Sequence, residues 1–481
     1  MQILNKYINK IKKSNSALKD VSFVAGGTVI SQAIGILVLP VLSRIYTPAD
    51  FGIAAVFASA ITILSHISGL RYYLAIPLPK SDRYANAVIV LSLLVQFIFS
   101  LVLCLLLIAT DLNFFTKIRL ENLYQYRYLV PIGVFLISLY VTLTQWAIRT
   151  KSFSTIGKTK ISQSITGNVA KVILGLLNIK PLGLLLGEIM SRASGITTLY
   201  KGIVSIKGVP KTTRQDIVKV ALKYRNFPLF DIWTALLNTA GYHIVPYLIL
   251  IFYDSQTTGY FSMAFTLMAV PGALIGTAIG QVFLQKAASA QHSGNLKELT
   301  FKAYLVLLRL SLFPILLLSI MSPLIFSVVL GKQWADAGIY AMLLGPWVMI
   351  MFIQSPLSNV FSILGLQRQA LVLEIVYSAS RIAAFLFGTL WKDARIAILF
   401  LSLSGFFITI IRLWYVLISS GNNTNYIIKK TFPVIIETTV LAFFPLLLYF
   451  NNSEFYLIVL TAIITLLIFL YRNFILSKIN L

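Results

Sequence analysis

PVLSRIYTPADFGIAAVF, residues 40–57, reads as the end of one apolar segment, a short polar turn and the start of another. A second stretch, PYLILIFYDSQTTGYFSMAF at 246–265, has the same shape. Aligning Gly52 with Gly259 also brings Tyr46 onto Tyr253, at an offset of 207. Pro131 in YLVPIG and Pro346 in MLLGPW give a second match at an offset of 215, each read as opening a span after a loop. The stretches follow the first and seventh apolar segments, an even number apart, so the two halves run the same way through a bilayer. Such a repeat implies two six-span bundles related by an axis along the membrane normal, with a central binding site.

The composition agrees. With 58% hydrophobic and 11% charged residues over 481 positions, the chain is no ordinary soluble protein. Fourteen stretches are long enough to span a bilayer: 21–45, 51–70, 84–110, 128–148, 160–179, 182–200, 227–252, 257–284, 301–322, 337–364, 369–391, 395–418, 431–450 and 455–475. The expected fold is therefore an all-α polytopic membrane protein of about fourteen transmembrane helices. Two six-helix lobes form a parallel repeat, and two extra C-terminal helices follow. The run from Val21 to Ile45 is too long for a signal-peptide core and is read as a retained span. The single cysteine, Cys104, excludes an intrachain disulfide and a cysteine metal site.

Charge sets the expected orientation. With the N-terminus inside, 27 of the 40 basic residues fall in cytoplasmic segments, eight outside and five within spans. Both termini are thus expected in the cytoplasm, and the net charge of +25 reports topology and not a nucleic-acid partner. Ile3, Leu4, Tyr7, Ile8 and Ile11 share one helical face, with Lys6, Lys10 and Lys13 elsewhere, a pattern suited to an anionic leaflet. The chain divides into an amphipathic cytoplasmic N-terminus (1–20), an N-lobe (21–205), a basic cytoplasmic linker (206–226), a C-lobe (227–420) and an appended pair of spans (421–481).

The five intramembrane cations are Lys171, Arg192, Arg309, Arg381 and Arg412. A cation at membrane depth costs about 3 kcal/mol on insertion scales, so it faces protein or a water-filled cavity. Lys171, Arg192 and Arg381 lie roughly 15–18 Å deep at 1.5 Å per helical residue. Lys171 and Arg381 sit on repeat-equivalent spans and are expected to oppose each other. An anionic substrate such as a diphosphate is the natural ligand of such a set. For Arg192 the rival reading is a structural pair with Glu188, four residues earlier. Arg309 and Arg412 are shallower, and their side chains either snorkel to headgroups or form a cytoplasmic mouth. Asp231 and Glu374, with Glu188, are the candidate ion-coupling acids, against a rival reading of interfacial acids paired with loop lysines. Gln32 of span 1 aligns at the repeat offset with Thr239, beside Asn238. Gln32 and Asn238 either contact sugar hydroxyls or hold helices together. The glycines and prolines of spans 1 and 8, Pro271 and Gly272 among them, favour bends.

SFVAGGTVISQAIGILVLPVLSRIYTPADFGIAAVF (22–57) and LGKQWADAGIYAMLLGP (330–346) resemble segments of Wzx-type bacterial polysaccharide flippases. These belong to the multidrug/oligosaccharidyl-lipid/polysaccharide exporter superfamily. The resemblance implies a V-shaped, two-lobed fold of the multidrug-exporter (MATE) kind that alternates between inward- and outward-open states. It also implies transfer of an undecaprenyl-diphosphate-linked oligosaccharide, an O-antigen or related repeat unit, across the bacterial inner membrane. Antiport of H+ or Na+ and work beside a polymerase or chain-length regulator are part of the same expectation. No cofactor is implied.

An enzyme is not expected. No loop is long enough for an extramembrane catalytic domain, and no nucleotide-binding motif or His/Cys cluster appears. A membrane glycan polymerase would be expected to carry a substantial periplasmic loop, whereas the longest outside loop, 111–127, is short. A multidrug exporter would favour an acidic cleft for cationic drugs. A lipid II flippase, with fourteen spans and a basic cavity, is the nearer alternative.

Overall fold

The computed structural model describes the backbone of residues 2–204, 212–272, 276–450, 460–461, 463–469 and 472. The side chains of 2–22, 202–204 and scattered helical positions, Asn238 among them, lie outside the description. The described chain is helical, with no strand. In order its α-helices are α1 (Gln2–Ile45), α2 (Pro48–Ser68), α3 (Asp82–Ala109), α4 (Leu112–Lys117), α5 (Glu121–Tyr124), α6 (Leu129–Arg149), α7 (Phe153–Leu176), α8 (Leu182–Val204) and α9 (Arg214–Lys223). There follow α10 (Ile232–Phe252), α11 (Ser255–Pro271), α12 (Thr277–Ser293), α13 (Leu296–Val329), α14 (Ala335–Leu357), α15 (Asn359–Ile363), α16 (Gln367–Gly388), α17 (Ala394–Ser419) and α18 (Thr424–Phe450).

The first thirteen expected spans each coincide with a described helix or helix pair. The fourteenth, 455–475, lies mostly outside the described residues. Among the described residues, eight helices are long and apolar enough to cross a bilayer by length and composition alone. The eighth expected span carries two described helices, α11 ending at Pro271 and α12 starting at Thr277. The amphipathic face expected in residues 1–20 falls on side chains outside the description, and its backbone continues into α1 without a break. Pro131 does lie in the first turn of α6, but Pro346 lies well inside α14, which begins at Ala335. The loop match at offset 215 therefore does not place both prolines at helix starts, because α14 begins within the polar QWADAG run.

The match at offset 207 is structural. Thr47 caps α2: its hydroxyl accepts from the Asp50 N–H at 3.3 Å, and the Asp50 carboxylate accepts from the Thr47 N–H at 2.8 Å. This reciprocal box satisfies two orphan donors of the first turn. At the equivalent position, Asp254 accepts from the Thr257 N–H at 2.6 Å and starts α11. The first turns of the two helices cross at Gly52 and Gly259. A Cβ on Gly52 would overlap the Ser255 carbonyl oxygen, and one on Gly259 would overlap that of Pro48. Pro48 and Ser255 are themselves 207 apart. Only glycine allows backbones to approach this closely.

Packing divides the chain into Met1–Gly259 and Tyr260–Leu481. In the first unit α7 lies along both α1 and α8, and α2 contacts α6 and α10. Its core joins Tyr46, Phe57 and Ile61 to Val134, Ile137 and Leu185. In the second unit α14 packs on α13 and α17, and α16 pairs with α17. Trp334, Trp347, Phe313 and Phe385 are fully buried there.

The short polar helix α9 docks on α3 by charge and one apolar anchor. Val220 enters a cluster with Ala85, Val88 and Trp146, and the Arg83 guanidinium meets Asp216 at 2.8 Å. Asp216 also accepts from the Thr213 N–H at 2.9 Å and the Thr213 hydroxyl at 2.7 Å. These bonds, the Thr213 N–H first, draw its acidity from the ordinary 3.8 down to about 2. A depressed carboxylate stabilises the fold above its ordinary value and loses that contribution as pH falls through the depressed one. Amide protection factors over 214–223, which remove the intrinsic pH dependence of exchange, are therefore expected to stay level from pH 7 to about 4 and to fall from there towards pH 2. In Asp216→Asn they are expected to be low and to lack that step.

Candidate functional site

Two charged clusters sit on helices, one in each unit, and each contains one of the two cations expected on repeat-equivalent spans, Lys171 and Arg381. In the first unit Lys171 projects from α7 and Glu188 and Arg192 from α8. Arg192 lies one turn beyond Glu188 and grips it through Nη2 at 2.7 Å and Nε at 3.2 Å. Lys171 Nζ reaches the other carboxylate oxygen at 3.8 Å. Gly187 leaves room for this, since a Cβ there would overlap the Lys171 Cγ. The Lys171 carbonyl accepts the Tyr46 hydroxyl at 2.7 Å, tying the cluster's helix to the repeated turn. One carboxylate serves two cations, and one positive charge remains over. All three side chains are partly accessible.

In the second unit Glu374 and Arg381 lie on α16 and Arg412 on α17. Arg412 Nη2 meets Glu374 at 2.8 Å. Arg381 is 1% exposed, with its guanidinium carbon 4.1 Å from the Trp347 ring centre and 5.0 Å from that of Tyr377. The same tyrosine lies beneath Arg412 at 5.1 Å, and its hydroxyl accepts the Trp347 indole N–H at 3.2 Å. Aromatic faces stabilise guanidinium by about 0.5–2 kcal/mol, most when water is excluded. Here too a single carboxylate accompanies two cations. Glu374 Oε1 and Arg412 Nε have no hydrogen-bond partner among the described residues.

The structure thus joins Lys171, Glu188 and Arg192, and separately Glu374, Arg381 and Arg412. Arg412 is buried and pairs with Glu374 on the neighbouring helix, so its side chain is held within the protein. Glu374 is accordingly not paired with a loop lysine. Arg309 on α13 is half-buried and has no ion-pair partner among the described residues. Asp231 is paired, as the rival reading had it, though with an arginine and not with a loop lysine. It ends a π-helical turn, Phe227–Asp231, is 40% exposed, and pairs with Arg71 at 2.5 Å. Sequence reading had placed Arg71 in a loop, with no reason to connect it to a residue 160 positions away. Gln32 is half-buried on α1, and the Asn238 side chain lies outside the described residues. The aromatic bed of Arg381 was missed, although Tyr377 precedes it by one helical turn, which was a usable signal. Among the described residues no group of His, Cys, Asp and Glu could hold a metal ion.

Comparison with known proteins fits this architecture. A protein-family model described as Polysaccharide biosynthesis protein matches residues 41–339. Comparison with curated proteins gives no match. Among solved structures, the fold is similar to lipid II flippase MurJ in an inward closed conformation, with a TM-score of 0.68 and 17% identity, over 97% of this chain and 100% of that one. It is similar to an inward-facing multidrug resistance MATE family transporter, with a TM-score of 0.56 and 11% identity, over 83% and 94%. A third likeness is to a multidrug/oligosaccharidyl-lipid/polysaccharide superfamily transporter from Pyrococcus furiosus, with a TM-score of 0.56 and 14% identity, over 84% and 96%. At these identities the likeness concerns the fold, that of a multi-pass, all-helical membrane protein.

Proposed function

The chain belongs to the family of polysaccharide biosynthesis proteins, and on that premise we propose that it is a flippase for an undecaprenyl-diphosphate-linked oligosaccharide. It moves an O-antigen or related repeat unit from the cytoplasmic to the periplasmic leaflet of the bacterial inner membrane. The lobes at 21–205 and 227–420 alternate in access, both termini are cytoplasmic, and an inward flow of H+ or Na+ drives the cycle.

One observation carries this reading. Each unit gathers two cations and one carboxylate on a pair of helices: Lys171, Arg192 and Glu188 in the first, Arg381, Arg412 and Glu374 in the second. A diphosphate is the kind of anion such cationic groups take, since guanidinium groups bind phosphate oxygens through paired N–H donors. The substrate displaces part of the Glu188 or Glu374 interaction and completes the charge balance in its place. A carboxylate released in this way is free to accept the coupling proton or Na+, which assigns Glu188 and Glu374 to coupling ahead of the already paired Asp231. Glycan selection falls to polar side chains such as Gln32 and Asn238.

The test is surface glycan in a strain lacking its own polysaccharide flippase, at matched protein levels. Lys171→Ala and Arg381→Ala are each expected to reduce glycan about 10–100-fold, the worth of a charge-assisted hydrogen bond of roughly 1.5–3 kcal/mol. Arg381→Lys is expected to retain part of it. Wild-type glycan in both alanine variants overturns the reading. A parallel arm in a strain depleted of lipid II flipping separates the two diphosphate-linked substrates.

A further inference from the structure

A second cationic feature lies away from both clusters, in the first unit, where the segment preceding α3 meets α9. A cavity of about 560 Å³ opens there, lined by Lys80, Lys219, Lys223, Tyr84, Tyr224 and Val220. Its walls are fixed. Arg149 donates to the carbonyls of Ile76, Pro77 and Pro79 and to the Asp82 carboxylate at 2.8 Å, holding the segment that carries Lys80. Arg83 and Thr213 hold Asp216 and so fix α9.

This arrangement decides the charge of the cavity. The two nearby acids, Asp82 and Asp216, are already occupied by Arg149 and Arg83. Lys80, Lys219 and Lys223 have no ion-pair partner among the described residues, and Lys223 only lies over the Tyr224 ring at 5.5 Å. Three uncompensated ammonium groups therefore face one space. Lys219 and Lys223, four residues apart, share a helical face. An anion is the ligand they suit.

The surroundings select its kind. Val218 and Leu222 of α9 are exposed beside the lysines, and Leu229, Phe230 and Trp233 continue the exposed apolar surface. A basic pocket with an apolar flank matches a ligand that is phosphate at one end and hydrocarbon at the other. We propose that this cavity binds the phosphate headgroup of an anionic phospholipid, which bridges the loop at 76–82 to α9 and holds α9 against the first unit. The site is independent of whatever substrate the two intramembrane clusters carry.

The experiment uses the purified, delipidated full-length protein in neutral detergent. Phosphatidylglycerol is titrated in, and retained lipid is read by native mass spectrometry alongside the thermal unfolding midpoint. Wild type is expected to retain phosphatidylglycerol and to shift upward in midpoint, with no such response to phosphatidylcholine. Lys80→Gln/Lys219→Gln/Lys223→Gln is expected to weaken retention on the order of fivefold per lysine. A control with the same net charge, Lys286→Gln/Lys302→Gln/Lys430→Gln, is expected to behave as wild type. Equal retention by the first triple variant overturns the proposal, and so does equal loss in the control. Glycerol 1-phosphate forms a further arm: protection as strong as that by the lipid would assign the cavity to a soluble phosphate and overturn the lipid reading. Because the three lysines lie outside every ion pair that holds the cavity walls, an unchanged far-UV spectrum is expected in the first variant.

Discussion

Gly52→Ala is expected to abolish recovery of folded protein, or to lower its unfolding midpoint far more than a methyl added at an open helical glycine. The added carbon would overlap the Ser255 carbonyl oxygen, which is backbone and has no rotamer through which to yield. Overpacking of ordinary cores costs about 1–3 kcal/mol because side chains shift; here two helix starts must move apart, so the upper end is expected. The mirror substitution, Gly259→Ala, meets the Pro48 carbonyl oxygen and should match it. The two effects should not add, since the first already separates the helices that the second would separate. Gly26→Ala is the control. Nothing lies within 4 Å of its added Cβ, so it is expected to be neutral or to stabilise by roughly 0.5–1 kcal/mol through helix propensity. Equal behaviour of Gly26→Ala and Gly52→Ala in detergent-solubilised melting curves would refute the close crossing.

Glu374→Ala should destabilise by about 3–5 kcal/mol, the cost of leaving a buried charge without its partner. It strands Arg412, which has no other ion-pair partner among the described residues, against the same Tyr377 ring that lies beside Arg381. Glu374→Ala/Arg412→Met is expected to recover most of the loss, because removing both members of a buried pair is often close to neutral. The exposed pair Arg395–Asp336, with both side chains about half accessible, supplies the contrast: Asp336→Ala should cost no more than about 1 kcal/mol. If the double variant is as unstable as Glu374→Ala, the loss comes from packing around the carboxylate and the pair is not its cause. Transport read on the same variants separates the roles. A stable double variant without glycan would mean that Arg412 or Glu374 acts in the cycle itself.

Much of this was legible in the sequence. The repeat at 40–57 and 246–265 foresaw the crossing of Gly52 and Gly259, since a glycine recurring at the same offset marks a shared backbone constraint. The i,i+4 spacing of Glu188 and Arg192 foresaw their pair, because neighbours one turn apart on a helix meet whatever the tertiary fold. Glu374–Arg412 and Arg71–Asp231 were not legible, since each joins residues far apart in sequence. Depth along one helix likewise says nothing of what the next helix presents, which is why Glu374 was not foreseen as the partner of Arg412.

The sequence by itself determined an all-helical membrane chain, its spans and the number of cations buried in them. Hydrophobic length and charge are local quantities, and a bilayer acts on them directly. Only the tertiary structure decided which acid neutralises which cation, that Lys171 and Arg192 share Glu188 while Arg412 takes Glu374 and Arg381 lies against Trp347 and Tyr377, and that Asp82 and Asp216 are already taken, leaving three lysines facing one cavity. Those outcomes depend on distances of a few ångströms between helices far apart in sequence, where Coulomb energies change steeply with separation and with the exclusion of water.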